Sequence, residues 1–288
     1  MIFSQIIKDY FVFAKYALFS LVIFLGSCIE PPFKDPFADI DHLELGNPSE
    51  AQNDPSGLDN YLIIKPQYTL SYNSETATAN WVSWHLSDIW LGSTDRQDDF
   101  RADTDIPEGW HRVSGSDYQG SGFDRGHLCP SADRTLDAED NSSTFLMSNI
   151  VPQSPDNNRG PWAELESYCR TLVADGFLEL YIIAGVYGKG GQGLEGNRQT
   201  IDSGNITVPA RVWKVIIVLE KGENDLFRMD ETVRVIAVDM PNRQGISNKD
   251  WKDYQVTVDD IEDKTGLDLL SNLPSDLQKA LESKLDIE

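Results

Sequence analysis

Arg211-Val-Trp-Lys-Val-Ile-Ile-Val-Leu219 is a run of apolar, mostly β-branched residues, a pattern typical of a strand buried in a sheet. A second run, Leu178–Tyr187, leads into a glycine cluster, which indicates a buried strand followed by a loop. Val233–Val238 is a third apolar run, and Thr76–His85 alternates apolar and polar residues as a strand does. Together these four stretches predict a central β-sheet.

Helical patterns accompany these strands. One helix is predicted to begin at Gly160-Pro161, because proline suits the first position of a helix. Apolar residues then recur at helical spacing, at Trp162, Leu165, Cys169 and Leu172. Residues 257–286 predict one or two further short helices. The sequence therefore predicts an α+β fold, with a central, mostly antiparallel sheet flanked by helices in a single domain.

The composition is that of a globular protein with a strong acidic excess. Of the 288 residues, 47 are Asp or Glu and 24 are Lys or Arg, so the formal net charge is −23. Hydrophobic residues make up 40% of the chain, which excludes a disordered or fibrous protein. The negative charge argues against a protein that coats nucleic acid through bulk positive charge, but it is compatible with an enzyme that contacts a few phosphates locally.

The N-terminus has the pattern of an export signal. Two lysines within residues 1–15 precede the apolar run Tyr16–Leu25, and small residues then lead to Cys28. This pattern looks like a bacterial lipobox, which predicts a lipoprotein signal peptide over residues 1–27 and a lipid on Cys28. The alternative is an uncleaved anchor helix with an incidental cysteine. The protein is expected to be exported and lipid-anchored to the bacterial cell envelope, at the outer membrane or cell surface, or to be secreted.

Residues 28–57 are rich in Pro, Asp, Asn and Ser and have no hydrophobic periodicity. They are expected to form a flexible tether between the membrane and a domain that spans residues 58–288. His42 lies in this tether and is given no functional role.

His127 is the candidate for catalysis among the four histidines. His85 lies in a predicted strand and is expected to be structural, and His111 could be structural or functional. His127 ends the tetrapeptide Asp124-Arg-Gly-His127, which offers a general base, a guanidinium that matches a phosphate, and a conformationally permissive glycine. Taken alone, such a tetrapeptide is also compatible with an ordinary turn.

Three motifs in a fixed order strengthen the functional interpretation. They are Asp124-Arg-Gly-His127, then Ser148-Asn-Ile-Val-Pro-Gln153, and then Asn158-Arg-Gly-Pro-Trp162 with Leu165-Glu166. The set resembles the DNA/RNA non-specific endonuclease family, whose members carry a ββα-metal (His-Me finger) active site. The motifs cover about residues 120–170, and weaker likeness extends over about residues 60–265.

The resemblance implies a role for each matching residue. His127 takes the position of the general base, Asn158 that of the direct protein ligand to Mg²⁺ or Mn²⁺, and Glu166 that of a residue that holds metal-bound waters. The oxygen donors of Asn and Glu suit a hard cation of this kind. Asn149 is implied to support the histidine and the geometry of the site, and Arg125 to contact or stabilise the phosphate.

Two further roles follow less directly from the resemblance. The family uses an arginine upstream of the histidine motif, and both Arg96 and Arg101 are candidates for it. Asp124 is expected to be a structural hydrogen-bond partner rather than a catalyst.

Cys129 lies two residues after His127, and Cys169 lies three residues after Glu166. In an oxidising compartment two such cysteines often pair, which would close a loop around the predicted site. The alternative is a pair of buried thiols, and the sequence leaves both open.

The expected activity is metal-dependent hydrolysis of phosphodiester bonds in DNA and RNA without sequence specificity. A neutral imidazole would take a proton from water, and the metal ion would stabilise charge on the leaving oxygen. None of the implied groups needs a base edge or a 2′-hydroxyl, so both nucleic acids are expected substrates. The alternatives are a catalytically inactive surface lipoprotein that binds a partner, and a phosphodiesterase acting on small phosphate esters. The sequence does not predict the oligomeric state.

Overall fold

The computed structural model describes residue 37 and residues 40–287. The predicted signal peptide and the lipid-bearing Cys28 lie outside these described residues. Residues 40–287 belong to one unit, in line with the predicted single domain. In this described part of the chain, no helix combines the length and the apolar character that a membrane span requires.

The strands of the described residues form one large sheet and three two-stranded sheets. In chain order they are β1 (Tyr61–Ile64), β2 (Thr69–Asn73), β3 (Thr78–Leu86), β4 (Asp124–His127), β5 (Ile150–Gln153), β6 (Leu178–Tyr187), β7 (Gly191–Gly193), β8 (Gly196–Arg198), β9 (Thr200–Ile201), β10 (Ile206–Thr207), β11 (Arg211–Glu220), β12 (Arg234–Pro241) and β13 (Gln255–Val256). The large sheet has the order β1-β2-β3-β6-β11-β12-β13, and every neighbouring pair in it is antiparallel. The predicted central antiparallel sheet is confirmed, and the four predicted strands are β3, β6, β11 and β12.

The α-helices of the described residues are, in chain order, α1 (Ala138–Ser143), α2 (Pro155–Asn158), α3 (Pro161–Val173), α4 (Asp225–Arg228), α5 (Val258–Thr265) and α6 (Ser275–Glu282). The helix predicted at Gly160-Pro161 is α3; of its predicted apolar face, Trp162, Leu165 and Cys169 are buried and Leu172 is half-buried. The two short C-terminal helices are α5 and α6. Thr257 caps the start of α5, and Gly266 ends it in the left-handed conformation.

Both faces of the central strands are covered. On one face of β11, Trp213 and Ile217 belong to the same apolar core as Ile261 of α5 and Leu281 of α6. On the opposite face, Lys214 Nζ lies 4.1 Å from the centre of the Trp162 ring, so α3 covers that side. This division follows from the strand, in which successive side chains point to opposite faces. The sheet therefore separates the C-terminal helices from the segment that carries the predicted site.

The flexible tether predicted for residues 28–57 is wrong in its C-terminal part. Residues 40–57 contain no helix and only an isolated bridge from Gln52, so the composition correctly predicts irregular backbone. Leu45 and Ala51 are nevertheless buried in the main core. The Asn47 side chain binds the backbone of Ala51 twice: its Nδ2 donates to the carbonyl oxygen, and its Oδ1 accepts the N–H. The domain therefore begins before residue 58.

His42 is the polar anchor of this N-terminal segment. It is buried, with its Nε2 2.8 Å from the carbonyl oxygen of Pro66 and its Nδ1 accepting the backbone N–H of His85 at 3.1 Å. Burial, with a smaller contribution from the charge of Arg134, lowers the pKa of His42 to about 3. A residue that the sequence analysis placed in a tether thus joins the first segment of the domain to β3.

Candidate active site

The histidine motif lies on a strand pair that is followed at once by helices. β4 pairs antiparallel with β5, so that Asp124 lies opposite Gln153 and His127 lies opposite Ile150. α2 and α3 then follow β5 in the chain. The order of strand, strand and helix is the ββα arrangement that the resemblance implies.

Gly126 lets these two strands approach each other. A Cβ built on Gly126 would lie 2.1 Å from Oε1 of Gln153 and 2.6 Å from its Cβ. Gln153 is fully buried, and its Nε2 donates a hydrogen bond to Oδ1 of Asn157 in α2. A larger residue at 126 would therefore displace β4, and with it the adjacent His127.

Asn242 ties the strand pair to the central sheet. It follows β12 and is buried, and its Oδ1 accepts the backbone N–H of Ser154 at 2.6 Å. Its Nδ2 donates to the carbonyl oxygens of Pro152 and Pro209 at 2.9 and 2.8 Å. Sequence reasoning missed this residue, because an isolated asparagine outside the three motifs carries no signal.

His127 lies in an aromatic pocket at the end of β4. His127 is 8% exposed, and the centre of its ring lies 4.9 Å from the centre of the Phe145 ring and 5.5 Å from that of the Phe100 ring. Among the described residues, none hydrogen-bonds to its buried Nε2. Burial, with smaller contributions from the charges of Arg96 and Arg125, lowers the pKa of His127 to about 3. The imidazole is therefore neutral at pH 7, the state that a general base requires.

Asn149 holds the chain that leaves His127. Its Oδ1 accepts the backbone N–H of Cys129 at 2.9 Å, and its Nδ2 donates to the carbonyl oxygens of Cys129 and Thr144. Its own carbonyl oxygen accepts the N–H of Leu128. Asn149 is fully buried, and its hydrogen bonds hold the backbone that follows the histidine.

Asn158 and Arg159 both bind the carboxylate of Asp124. Asn158 Nδ2 donates to Asp124 Oδ2 at 2.9 Å. Arg159 donates from Nε and from its terminal NH2 nitrogen to the two oxygens of the same carboxylate, at 2.8 and 2.7 Å. The expectation that Asp124 is a hydrogen-bond partner agrees with this geometry. Because its nitrogen is engaged, the Asn158 amide has its Oδ1 available, and no described residue donates to that oxygen.

Glu166 lies on α3 above a buried lysine. Its side chain is 14% exposed, and its Oε1 lies 3.6 Å from Nζ of Lys214, which is 1% exposed. Burial raises the pKa of the Glu166 carboxyl, and the charge of Lys214 opposes that shift. Sequence reasoning gave Lys214 no role. Its only signal is a charged residue inside the apolar run of β11.

A cleft of about 820 Å³ opens beside the strand pair. Arg125 and Asn158 are part of its wall, together with Asp124 and Arg159. His127 does not line the cleft, but its ring contacts the ring of Phe100, which does. Asn149 and Glu166 lie away from the wall, among buried groups.

The structure distinguishes the two candidate upstream arginines. Arg96 lines the cleft, and its guanidinium lies 4.7 Å from the centre of the Phe145 ring that contacts His127. Arg101 instead donates to the side chain of Asp99 and to the carbonyl oxygen of Ser142, away from the cleft wall. Arg96 is therefore the arginine that faces the candidate site.

Cys129 and Cys169 are free and buried. Of the two alternatives drawn from the sequence, the pair of buried thiols is the one that the structure contains. Burial raises the pKa of each thiol to about 12, so both remain protonated at neutral pH.

A second polar cluster lies outside the strand pair. His111, Asp117 and Asp202 bring one potential ligand atom each to within 4.8 Å of one another. Asp117 accepts hydrogen bonds from the N–H and the hydroxyl of Ser114, and Asp202 lies 3.4 Å from Nε2 of His111. These contacts account for the cluster as a set of polar interactions.

Comparison with known proteins agrees with this geometry. The family model described as DNA/RNA non-specific endonuclease matches residues 45–276. A nuclease from Nostoc sp. is 50% identical over 245 residues, which cover 85% of this chain and 86% of the relative. A nuclease from Serratia marcescens is 30% identical over 257 residues, which cover 87% of this chain and 88% of the relative.

The mitochondrial relatives are longer than the matched region. The mitochondrial nuclease EXOG of Xenopus laevis is 31% identical over 227 residues, which cover 77% of this chain and 61% of the relative. The solved structure of EndoG in complex with EndoGI matches this chain with a TM-score of 0.67 at 24% identity. The match covers 83% of this chain and 96% of that chain, so the two share a fold. The family match and the bacterial relatives span nearly the whole described domain, so this chain belongs to the DNA/RNA non-specific endonuclease family, whose members are hydrolases of phosphodiester bonds.

Proposed function

We propose that the protein cleaves DNA and RNA internally without sequence specificity, using His127 as general base and Mg²⁺ or Mn²⁺ held by Asn158 and Glu166. The observation that carries this proposal is the fixed amide of Asn158. It belongs to the same ββα unit as a buried, neutral His127 and lines a cleft that also contains Arg125.

The residues at the site fit a hard divalent cation. Asn158 would be the direct ligand through Oδ1, because Asp124 engages the other end of its amide. Glu166 would hold metal-bound water with its carboxylate; burial raises the pKa of that carboxyl, and the charge of Lys214 opposes the rise. When bound, the metal ion supplies positive charge to the phosphate and to the leaving oxygen.

His127 supplies the proton acceptor. Its depressed pKa means that no proton has to leave the ring before it can accept one from water at neutral pH. The aromatic pocket of Phe100 and Phe145 fixes the plane of the ring. Asn149 fixes the backbone that follows it.

Arginines position the substrate through its backbone. Arg125 is exposed, and its guanidinium stacks 4.0 Å from the centre of the Phe100 ring. Arg96 faces the same cleft. Guanidinium contacts to phosphate oxygens carry no information about the bases, which would account for the lack of sequence specificity and for activity on both DNA and RNA.

Three variants test this assignment through nuclease rates measured beside calorimetric metal binding. His127→Ala should lower the rate by at least the ~10²–10⁴-fold typical of general bases, while metal binding stays nearly unchanged. Asn158→Ala should lose metal affinity and rate together. Glu166→Ala should lower the nuclease rate by about 10–100-fold, and the rate should recover partly at high Mg²⁺. Loss of metal binding in His127→Ala with retention in Asn158→Ala would contradict the assignment.

We propose further that the protein is exported and anchored to the cell envelope by a lipid on Cys28. The support is the sequence pattern of residues 1–28, with its basic start, apolar run and small residues before the cysteine. Replacing Cys28 by Ser should move the protein from the membrane fraction to the soluble fraction, since stable attachment would depend on that lipid. A mutant that still sediments with membranes contradicts the lipid anchor.

A further inference from the structure

Three carboxylates meet where the two C-terminal helices pack together. Asp259 and Glu262 lie on α5, and Glu282 is the last residue of α6. One carboxylate oxygen from each of the three lies within 4.8 Å of the others. This cluster is on the side of the sheet opposite to α3 and the ββα unit, so it is separate from the nuclease site.

Glu282 is the member of the cluster that points to a ligand. It is only 5% exposed, and its Oε1 is buried without a hydrogen-bond partner in the described residues. Leaving a buried polar atom unpaired is costly, and the cost is larger for a charged group. A carboxylate in this position therefore needs a proton or a cation.

No described Lys or Arg forms an ion pair with any of the three carboxylates. Burial raises the pKa of Glu282 to about 7, and the neighbouring carboxylates of Glu262, Asp259 and Asp268 add to the effect, while the side chain of Gln278 opposes it. Glu262 is fixed in place, because its Oε1 accepts the backbone N–H of Leu269 at 2.7 Å. The cluster thus combines negative charge, partial preorganisation and a buried acceptor.

We propose that Asp259, Glu262 and Glu282 bind a Ca²⁺ ion that fastens α6 to α5. Ca²⁺ takes only oxygen ligands, at about 2.3–2.6 Å, so opposite ligands lie up to about 5 Å apart. The spacing of the three oxygens fits that range. Mg²⁺ holds its ligands at about 2.0–2.1 Å and demands near-ideal octahedral geometry, which this set of side chains from two helices matches less well.

The ion would act on the stability of the fold. Val258 and Ile261 of α5 and Leu281 of α6 are buried in the main apolar core, next to the three carboxylates. Neutralising the carboxylates would remove their mutual repulsion and hold these apolar residues in place. The site would therefore couple the packing of the C-terminal helices to the surrounding Ca²⁺ concentration.

The test uses the full chain purified in detergent, with Ca²⁺ as the only probe. In an Asn158→Ala background, which removes the proposed ligand of the nuclease site, calorimetry should detect Ca²⁺ binding with a dissociation constant of about 10⁻⁴–10⁻³ M. Adding Glu282→Gln should abolish that binding. In the same Asn158→Ala background, about 10 mM Ca²⁺ should raise the melting temperature by about 3–6 °C, and adding Glu282→Gln should remove this increase.

Two matched variants complete the design. Asp263→Asn removes one carboxylate from an exposed position on the same helix and should keep both Ca²⁺ binding and the thermal shift. Asp259→Asn is a surface change that spares the core, and it should weaken Ca²⁺ binding at least tenfold even if Glu282→Gln fails to fold. The proposal is overturned if Ca²⁺ neither binds to the Asn158→Ala protein nor raises its melting temperature, which is the result expected when Glu282 is simply protonated. Equal binding by the Asp259→Asn and Asp263→Asn variants also overturns it.

Discussion

Asp124 Oδ2 accepts a hydrogen bond from Nδ2 of Asn158 at 2.9 Å, so the first residue of the histidine motif orients the proposed metal ligand. The same carboxylate is held by the bidentate guanidinium of Arg159. An isolated Asn158 side chain could present either end of its amide to the cleft. The contact with an acceptor-only carboxylate fixes the nitrogen on one side and leaves the oxygen for a cation.

Replacing Asp124 by Asn should weaken the metal site without removing a ligand. The new amide can offer Asn158 a nitrogen where it needs an acceptor, so the Asn158 amide loses its fixed orientation. Losses for groups that orient metal ligands are typically about 10–100-fold in affinity or activity. We expect the nuclease rate to fall by that factor and to recover partly as Mg²⁺ is raised.

Asp98→Asn is the matched control for this change. Asp98 also lines the cleft, but its carboxylate pairs with Arg96 and does not contact Asn158. The nuclease rate of the Asp98→Asn variant should depend on Mg²⁺ in nearly the same way as that of the natural protein. Identical Mg²⁺ dependence in the Asp124 and Asp98 variants would contradict the orienting role.

Gly126→Ala should damage both the fold and the activity. The new Cβ would meet the buried side chain of Gln153 at distances far below a van der Waals contact. Overpacking of this kind typically costs about 1–3 kcal/mol in the free energy of unfolding, and the shift of β4 would also move His127. Gly57→Ala is the control, because its Cβ meets only atoms at 3.4 Å or more. Urea denaturation should separate the two variants, and equal stabilities would count against the packing argument.

Much of the fold could be predicted because the central strands are long apolar runs. β6 and β11 are buried on both faces, so their sequences are distinct from helix and loop. The segment before β1 could not be predicted in the same way. Its composition indicates irregular backbone, but the burial of Leu45 and Ala51 depends on contacts with residues far away in the chain.

The candidate site was predictable only where residues belong to contiguous motifs. His127, Asn149, Asn158 and Glu166 were located through the family resemblance. The choice of Arg96 over Arg101 required the folded cleft. Tertiary contacts of this kind leave no local pattern in the sequence.

Acid should destabilise the domain through the buried, neutral side chains of His42 and His127. The pKa of His42 and that of His127 are about 3 in the folded protein, below the unperturbed value of about 6.5. The unfolded chain therefore binds more protons between these values, so the free energy of unfolding falls as the pH is lowered through that window. Each histidine contributes a slope of up to about 1.4 kcal/mol per pH unit.

His42→Gln isolates one of these contributions. Glutamine keeps a donor for the carbonyl oxygen of Pro66 but does not titrate. The free energies of unfolding of the natural protein and the variant, measured from about pH 7 to pH 4.5, should converge as the pH falls, because the natural protein loses its extra stability in that window. His127→Gln should remove a similar part of the slope. Parallel pH dependences for the variants and the natural protein would be inconsistent with buried neutral histidines.

Lys214→Met should shift the pH dependence of the nuclease to higher pH. Lys214 Nζ lies 3.6 Å from Glu166 and opposes the rise in the pKa of that carboxyl that burial and the charge of Asp133 cause. Without the lysine, the pKa of Glu166 rises further, and a larger fraction of the carboxyl is protonated at neutral pH. Methionine preserves the apolar stem against Trp162, so the packing of α3 on the sheet is largely kept.

The result distinguishes an electrostatic role of Lys214 from a purely structural one. The loss of rate should be about 10–100-fold at neutral pH, as for other groups that support metal sites, and should shrink as the pH is raised and Glu166 ionises. Lys221→Met is the matched control, since Lys221 directly follows the same strand and pairs with Asp88 on the protein surface. That variant should keep the natural pH–rate profile. If Lys214→Met instead loses the same factor at every pH, its effect comes from packing, and Lys214 does not control the ionisation of Glu166.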